Sequence, residues 1–387
     1  MNRCFTPIFL LFLLVLAVGP GLASSQDPLK VGAMIPFAGR WGDSGREFAR
    51  GLLDASKWIN QKGGIYGKKL EILLIDDSSH PAEFLAAFRK LNEADRVSML
   101  YLYSPETGWA LLPHLHYHRL PTLTSSFPLQ LADSTKIAYL FSTLPTPLDL
   151  AKIAMKFISD RSDLKMRRPK VTFVMFSDPT VQYFLDGAKA YAKGLGLEIG
   201  PDLFVPDLPS LRSSALYPPL LTFQPDFAYL HMTPKEAFLF LQEVKRSELK
   251  TRWICSMRAF DETLSPIDGI LGVQPIAPFG EEVPGMAEIK EAHQKWHPYD
   301  THTLAYVEGW ATAKVMAEGL GRSLQGQGLQ REKVRLALEG FQNVVFGGLI
   351  PPITYTARDH RPSVESRIFI VREEKLLRHS GFLSVGR

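Results

Sequence analysis

Residues 30–83 constrain the fold more than any other stretch, because they contain two short apolar runs separated by a helical pattern. The runs at residues 31–35 and 70–75 are typical of buried parallel strands, and apolar side chains recur at helical spacing between them. Two parallel strands joined through a helix form a right-handed crossover unit. This stretch therefore predicts an α/β fold with a parallel sheet near the start of the chain.

The helix of this unit has a predicted start and a predicted end. Ser44 and Glu47 have the spacing of a capping box, and Gly63-Gly64 suits the positive φ with which many helices end. The loop at residues 36–43 follows the carboxyl end of the first strand and leads into the helix N-terminus. Open α/β sheets bind ligands at such places, and backbone N–H groups there favour an anionic group.

This unit resembles the N-terminal unit of the periplasmic leucine/isoleucine/valine-binding proteins, the type I solute-binding proteins of ABC importers. The features that carry the resemblance are VGAMIPFAG at residues 31–39, Trp41-Gly42-Asp43, the helix end at residues 59–67, Asp76-Asp77 and Pro81. The order of elements further along agrees over nearly the whole mature chain. The resemblance implies two doubly wound, Rossmann-like lobes joined by a three-segment hinge, which is the type I periplasmic binding protein fold.

The first 25 residues predict a secretory signal peptide that is cleaved, because Arg3 is followed by an apolar run at residues 8–18 and then by small residues. The run is too short to span a bilayer comfortably. We therefore expect a periplasmic protein. Cleavage removes Cys4 and leaves Cys255 as the only thiol, so no intramolecular disulfide is expected.

A β-α-β rhythm restarts near residue 168, which predicts a second lobe. We expect the first lobe to comprise residues 26–143 and 273–365, and the second lobe residues 144–272 and 366–387. The crossings between them are expected near Leu144, Gly272 and Arg367. The cleft between two hinged lobes is the expected ligand site.

The resemblance also implies ligand contacts around this cleft. The residues that it implies are Trp41, Ser104, Thr107, Ser126 and Phe127 in the first lobe, and Tyr183, Thr233 and Met257 in the second. Ser125 is an alternative to Ser126, and Phe184 is an alternative to Tyr183. Ser104 and Thr107 precede or begin a predicted helix, so helix capping is a competing role for both hydroxyls.

One residue that the resemblance leads us to expect is missing. The acid that receives a ligand's ammonium group in the family falls within Ser256-Met257-Arg258, which contains no carboxylate. A buried ammonium needs a countercharge, so either Asp261 or Glu262 replaces this acid or the ligand has no ammonium. Arg40, Arg258 and several aromatic residues near the cleft favour an acid with an apolar or aromatic body.

Composition and motifs argue against other classes of protein. A formal charge of +4 spread over 387 residues does not indicate the basic surface of a nucleic-acid-binding protein. The histidines at residues 114, 116 and 118 and at 293 and 297 lack the acid or cysteine partners of common metal motifs, and surface histidines are the favoured interpretation. No catalytic motif is present, so neither an enzyme nor a cofactor is predicted.

The leading prediction is a monomeric binding component of a branched-chain-amino-acid-type ABC importer. It would deliver a small carboxylate or amino-acid-like solute to a membrane permease. A ligand sensor of the same fold is the alternative, because fold does not separate transport from sensing.

Overall fold

The computed structural model describes residues 27–77, 81–125, 127, 135, 137–161, 167–176, 181–205, 218–247, 249–325 and 329–386. Its first sheet is parallel and has the order β2-β1-β3-β4-β5 in this part of the chain. The strands are β1 Leu29–Ile35, β2 Leu70–Asp76, β3 Met99–Leu102, β4 Thr122–Thr124 and β5 Leu140–Ser142. The predicted crossover unit is confirmed, since β1 pairs in parallel with β2 in full register.

Helices cover both faces of this sheet because its strands are apolar on both sides. The helices that follow β1, β2 and β3 are α1 Gly42–Gln61, α2 Pro81–Arg89 and α3 Pro105–Tyr117. Along β3, Met99 and Tyr101 belong to the core cluster that contains α1, whereas Leu100 and Leu102 belong to the cluster that contains α2 and α3. This alternation follows from the two-residue period of a strand.

The second sheet is mixed, and its described strands have the order β13-β12-β11-β10-β9-β6-β7, with β8 beside β6 and β14 beside β12. Its elements up to the return to the first lobe are α4 Pro147–Ser159, β6 Lys170–Phe176, α5 Gln182–Gly194, β7 Glu198–Ile199, β8 Leu203–Val205, α6 Pro218–Phe223, β9 Phe227–His231, α7 Pro234–Val244, β10 Arg252–Cys255 and β11 Leu271–Gln274. The strands from β6 to β11 are parallel.

After β11 the chain returns to the first sheet and then crosses again. The helices of the return are α8 Met286–Trp296, α9 Leu304–Ser323 and α10 Arg331–Glu339. The last strands, β12 Glu365–Arg372, β13 Lys375–Arg378 and β14 Leu383–Ser384, join the second sheet in antiparallel pairs. The α/β fold with two doubly wound lobes is confirmed, while the lobe boundaries stated to the residue stay a prediction.

Helix α9 packs against α1 through two glycines. A Cβ atom on Gly51 would lie 1.9 Å from the carbonyl oxygen of Tyr306, and one on Gly309 would lie 2.1 Å from that of Phe48. Both distances are far below any van der Waals contact. The two helices can approach this closely only because each lacks a side chain at the crossing.

The start and the end of α1 can be compared with the boundaries predicted from the sequence. The predicted capping box at Ser44 and Glu47 is wrong, because a 3-10 turn at Gly39–Trp41 leads directly into α1, which begins at Gly42 without a side-chain cap. The predicted end is confirmed by the positive φ of Gly63, 104°, and of Gly64, 71°. None of the helices in the described ranges is long and apolar enough to cross a membrane.

Candidate ligand site between the lobes

A small cavity lies between the two sheets and is lined from both lobes. Its walls include Trp41, Tyr103 and Glu308 on the side of the first sheet, and Met257, Arg258 and Gln274 on the side of the second sheet. The cavity measures about 30 Å³, which is room for one or two water molecules. The space between the two sheets at this place is therefore small in this structure.

Arg258 extends from the loop after β10 into this cavity. Its guanidinium lies over the rings of Tyr103 and Trp41, at 5.3 Å and 5.9 Å, and its Nη1 is 3.5 Å from the Tyr103 hydroxyl. No carboxylate of the described residues lies within ion-pair distance of it. Burial lowers the pKa of Arg258, but the nearby Tyr103 and Glu308 raise it above its ordinary value, so the side chain stays charged.

Glu308, in the second turn of α9, brings a carboxylate to the same cavity. Its side chain is only 5% exposed, and its Oε1 has no hydrogen-bond partner among the described residues. Ser125 lies close enough to this carboxylate to lower its pKa, and the Tyr101 hydroxyl oxygen lies 2.5 Å from Ser125 Oγ. Burial raises the pKa of Glu308, while Arg258 and Ser125 oppose that effect.

Glu308 is not among the residues predicted from the sequence. The available signal was a single acid inside LAYVEGWATA, a segment in which every other residue is apolar or small. A carboxylate in such a segment is rarely buried without a partner, so its position alone could have marked it as a candidate for function.

Ser104 and Thr107, the implied contacts of the first lobe, point their hydroxyls at a protein carboxylate. Ser104 Oγ donates to Asp77 Oδ2 at 2.7 Å, and Thr107 Oγ1 donates to the same atom at 3.2 Å. All three residues are buried. These hydrogen bonds therefore connect the start of α3 to Asp77, directly after β2. Neither hydroxyl lines the cavity.

Other implied residues are divided between the cleft and the core. Ser126 lies outside the described residues. Phe127 is 3% exposed and packs with Leu102 and Leu111 on the α3 side of the first sheet, so its ring does not line the cavity. Ser125, the alternative to Ser126, is buried, and its Oγ lies 2.5 Å from the Tyr101 hydroxyl oxygen.

In the second lobe, Tyr183 is the aromatic residue at the cleft. Its ring lies 5.8 Å from that of Trp109 on α3, a contact between the lobes. Phe184, the alternative, is buried beside His231 within the second lobe. Met257 lines the cavity.

Thr233, the last implied contact, serves as the N-cap of α7. Its hydroxyl accepts from the Glu236 backbone N–H at 3.3 Å, and Glu236 Oε2 accepts from the Thr233 N–H at 2.8 Å. Glu236 also pairs with Arg40 across the cleft, with Arg40 Nε to Oε1 at 3.1 Å and Nη2 to Oε2 at 2.9 Å. We call this Arg40–Glu236 contact the interlobe ion pair.

Asp261 and Glu262, which we considered as replacements for the missing acid, both accept hydrogen bonds from the backbone. Asp261 Oδ1 accepts from the Thr263 N–H at 2.8 Å, and Glu262 Oε2 accepts from the Leu304 N–H at 3.0 Å, at the start of α9. Burial raises the pKa of Glu262 to about 8. Each of the two carboxylates thus has a structural role beside the cavity.

A family model for periplasmic binding proteins matches residues 28–375. The chain belongs to the periplasmic binding protein family. The resemblance to leucine/isoleucine/valine-binding proteins is also confirmed, since the chain is 33% identical over 92 residues to Leu/Ile/Val-binding protein homolog 7 of Brucella abortus. That alignment covers 24% of this chain and 23% of the relative, so the relative's whole-protein activity is not carried over by it.

Solved binding proteins share the fold over nearly the whole chain. A branched-chain amino acid ABC transporter protein from Thermus thermophilus, with bound valine, is 18% identical with a TM-score of 0.83, covering 93% of this chain and 97% of that one. A fatty acid ABC transporter substrate-binding protein from Thermomonospora curvata is 20% identical with a TM-score of 0.79, covering 95% and 94%. A solute-binding protein from R. palustris in complex with benzoate is 16% identical with a TM-score of 0.75, covering 92% and 98%.

This binding protein also has a histidine cluster away from the cleft, between α1, α8 and α9. His302 is 3% exposed, stacks on Tyr306 at 3.7 Å, and has no partner for either ring nitrogen among the described residues. Burial lowers its pKa to about 3. His297 Nε2 lies 2.8 Å from Asp54 Oδ2. The described residues contain no group of His, Cys, Asp or Glu arranged to hold a metal ion.

Proposed function

We propose that this protein is the substrate-binding component of a branched-chain-amino-acid-type ABC importer, and that it binds a small carboxylate or amino-acid-like solute between its lobes. The observation that carries the proposal is the cavity between the lobes, to which Arg258 and Glu308 bring opposite charges from opposite sides. A membrane permease would be the partner that receives the solute.

The guanidinium of Arg258 supports a ligand with a carboxyl group. An arginine that is charged, largely removed from water and held over two aromatic rings is well suited to a bidentate carboxylate contact. Valine, a fatty acid and benzoate, which the descriptions of the three similar structures name, all contain a carboxyl group. Trp41, Met257 and Tyr183 would contact the body of the solute.

Ser104 and Thr107 would act indirectly in this proposal. Their hydrogen bonds to Asp77 fix the loop before α3, and with it the position of Trp109 against Tyr183. Opening of the cleft would separate that aromatic contact and break the interlobe ion pair. We propose that the lobes, residues 26–143 with 273–365 and residues 144–272 with 366–387, move as two units in this step.

The proposal places the protein in the periplasm as a monomer, after removal of the signal peptide predicted at residues 1–25. Membership of the periplasmic binding protein family supports a location outside the cytoplasm. N-terminal sequencing of the exported protein tests the cleavage. A product that keeps Met1 and sediments with membranes would contradict it.

Thermal-shift screening of the mature protein tests the binding function. The set comprises the proteinogenic amino acids, their deaminated analogues, fatty acids and aromatic acids. A ligand present at 100 times its Kd stabilises the folded state by about 2.7 kcal/mol, which gives a measurable rise in Tm. We expect at least one carboxyl compound to raise the Tm of the wild type and to raise that of Arg258→Gln much less. If no compound in the set shifts the wild type, the proposed function is wrong.

A further inference from the structure

We propose that the protein has a second small-molecule site, remote from the cleft, which binds an organic monoanion with an apolar or aromatic body. The site is a pocket where the C-terminal part of α1 and the turn after it meet α8 and the second half of α9. The inference goes beyond the proposed function and does not depend on it, because this pocket and the cavity between the two sheets share no lining residue.

The pocket is large enough for a small molecule and lies far from the cavity. It measures about 480 Å³, within the range of small-molecule sites, whereas the cavity measures about 30 Å³. On α1, Ser44 lines the cavity and Trp58 lines the pocket, a separation of about 14 residues or about 21 Å. On α9, the cavity is lined by residues up to Glu308 and the pocket by residues from Lys314 onward. A ligand in the pocket would therefore bind without entering the cleft.

One wall of the pocket is apolar and partly exposed to water. Its side chains are Trp58, Ile59, Ile65 and Tyr66. Tyr66 is 66% exposed and lies in a tight turn that backbone hydrogen bonds between Ile65 and Lys68 close. Its hydroxyl accepts from Gln325 Nε2 at 3.2 Å, which connects this turn to the residues after α9. An apolar or aromatic ligand placed against Tyr66 would remove the ring from water, and this burial favours binding.

Gly321 on α9 keeps the pocket open. A Cβ atom at this position would lie 3.6 Å from Ile65 Cγ2 and 3.7 Å from Tyr66 Cε2, which are ordinary van der Waals distances to two lining side chains. The fold therefore tolerates a side chain here, but a longer one would occupy the space beside Tyr66. Leucine also has a better helix propensity than glycine, so Gly321→Leu fills the pocket without weakening α9.

The carboxylates of the pocket are already paired. The lining contains three cationic side chains and two carboxylates. Glu288 Oε2 accepts from Lys314 Nζ at 2.9 Å. Glu318 Oε1 accepts from Arg322 Nε at 2.7 Å. A cationic ligand would have to compete with these ion pairs, so the pocket is poorly suited to a cation.

Lys62 is the cation of the pocket that is available to a ligand. It has no carboxylate partner within the part of the chain that the structure describes, and its Nζ lies 4.5 Å from the centre of the Trp58 ring. An ammonium has three N–H donors, and a ring on one side leaves donors that point away from it. A single carboxylate or sulfonate would supply the countercharge. The charges thus predict a monoanion, and the apolar wall predicts its apolar body.

Fluorescence titration of the mature protein with two matched dyes tests the site. 1-Anilinonaphthalene-8-sulfonate is an aromatic monoanion, and N-phenyl-1-naphthylamine has the same rings without the sulfonate. We expect the wild type to bind the sulfonate saturably at one site. Lys62→Met keeps an apolar stem over Trp58 and should weaken the sulfonate roughly 5-fold, as for a partly exposed ion pair, while leaving the neutral dye unchanged. Gly321→Leu should weaken both dyes by roughly 10-fold or more, because the leucine occupies their volume.

The control variants make the same changes on the side of the second sheet. Lys152→Met alters a lysine whose Nζ lies 5.7 Å from the centre of the Tyr191 ring, and Gly194→Leu alters a glycine on α5 with open space around its Cβ. Both should bind the dyes as the wild type does. Lys62 is exposed, so its variant should fold even if Gly321→Leu does not. The inference is overturned if the wild type does not bind the sulfonate saturably, or if Lys62→Met binds it as tightly as the wild type. The thermal-shift screen decides the proposed function separately.

Discussion

His302 should make this protein lose stability in mild acid. Its imidazole is 3% exposed and lies among groups that mostly do not stabilise a positive charge. The neighbouring charged and titratable groups are Arg50, Asp54, His293, His297 and Tyr306. Burial first, and then the nearby His293 and Arg50, lower the pKa of His302 from 6.5 to about 3.

The sign of the effect follows from proton linkage. Because the folded-state pKa lies below the unfolded-state value, the unfolded chain binds more protons between the two values. The contribution of neutral His302 to the free energy of unfolding is therefore complete above about pH 6.5. It is lost as the pH falls toward about 3. Each unit of difference in pKa is equivalent to about 1.4 kcal/mol, so the loss between pH 7 and pH 5 is about 2 kcal/mol.

Urea unfolding of the wild type and of His302→Phe, at pH 7 and pH 5, measures this loss. Phenylalanine keeps the stacking on Tyr306, and no described partner of either imidazole nitrogen is left unsatisfied. The free energy of unfolding of the variant should fall about 2 kcal/mol less than that of the wild type. His116→Phe, at an exposed site on α3, is the control and should behave like the wild type. If His302→Phe shows the same loss as the wild type, the reasoning is wrong.

Three further predictions concern the closed cleft, the helix crossing and the buried thiol. Arg40→Met removes the interlobe ion pair and should weaken closure by roughly 1 kcal/mol, or about 5-fold, since the pair is partly exposed. Small-angle scattering should show a larger fraction of open molecules than in Arg46→Met, whose ion pair lies within the first lobe. Gly51→Ala should lower the free energy of unfolding by roughly 1–3 kcal/mol or more through overpacking, whereas Gly194→Ala, with open space around its Cβ, should not. Cys255 is fully buried with a raised pKa, so a thiol reagent should label it only after unfolding, and rapid labelling of the native protein would contradict the structure.

Much of the fold could be predicted from the sequence because its signals are local. Apolar runs of strand length, a helical repeat between them and the glycines at residues 63 and 64 each depend on a few adjacent residues. The capping box at Ser44 was wrong for a related reason. Its spacing was correct, but a 3-10 turn at Gly39–Trp41 starts the helix earlier and places Ser44 inside it.

The candidate site was less predictable, because its chemistry depends on partners distant in sequence. The sequence indicates hydroxyls at residues 104 and 107, but not that both donate to Asp77. Arg258 was expected near the cleft, whereas Glu308 was missed, because the two residues reach the same cavity only after the chain has crossed between the lobes and returned. Side-chain direction and burial decide which polar groups are available to a solute, and neither follows from spacing.

The glycine crossing between α1 and α9 has a consequence for how the chain folds. The hydrogen bond from Tyr306 to Asp54 at this crossing joins residues that are 252 positions apart. Closing so long a loop has a large entropic cost, and such contacts form late and slowly. The side of α1 that packs against α9 therefore stays uncovered until the whole second lobe and α9 have left the ribosome. The N-terminal half of the chain can thus remain unfolded during synthesis, and its native packing depends on residues made near the end.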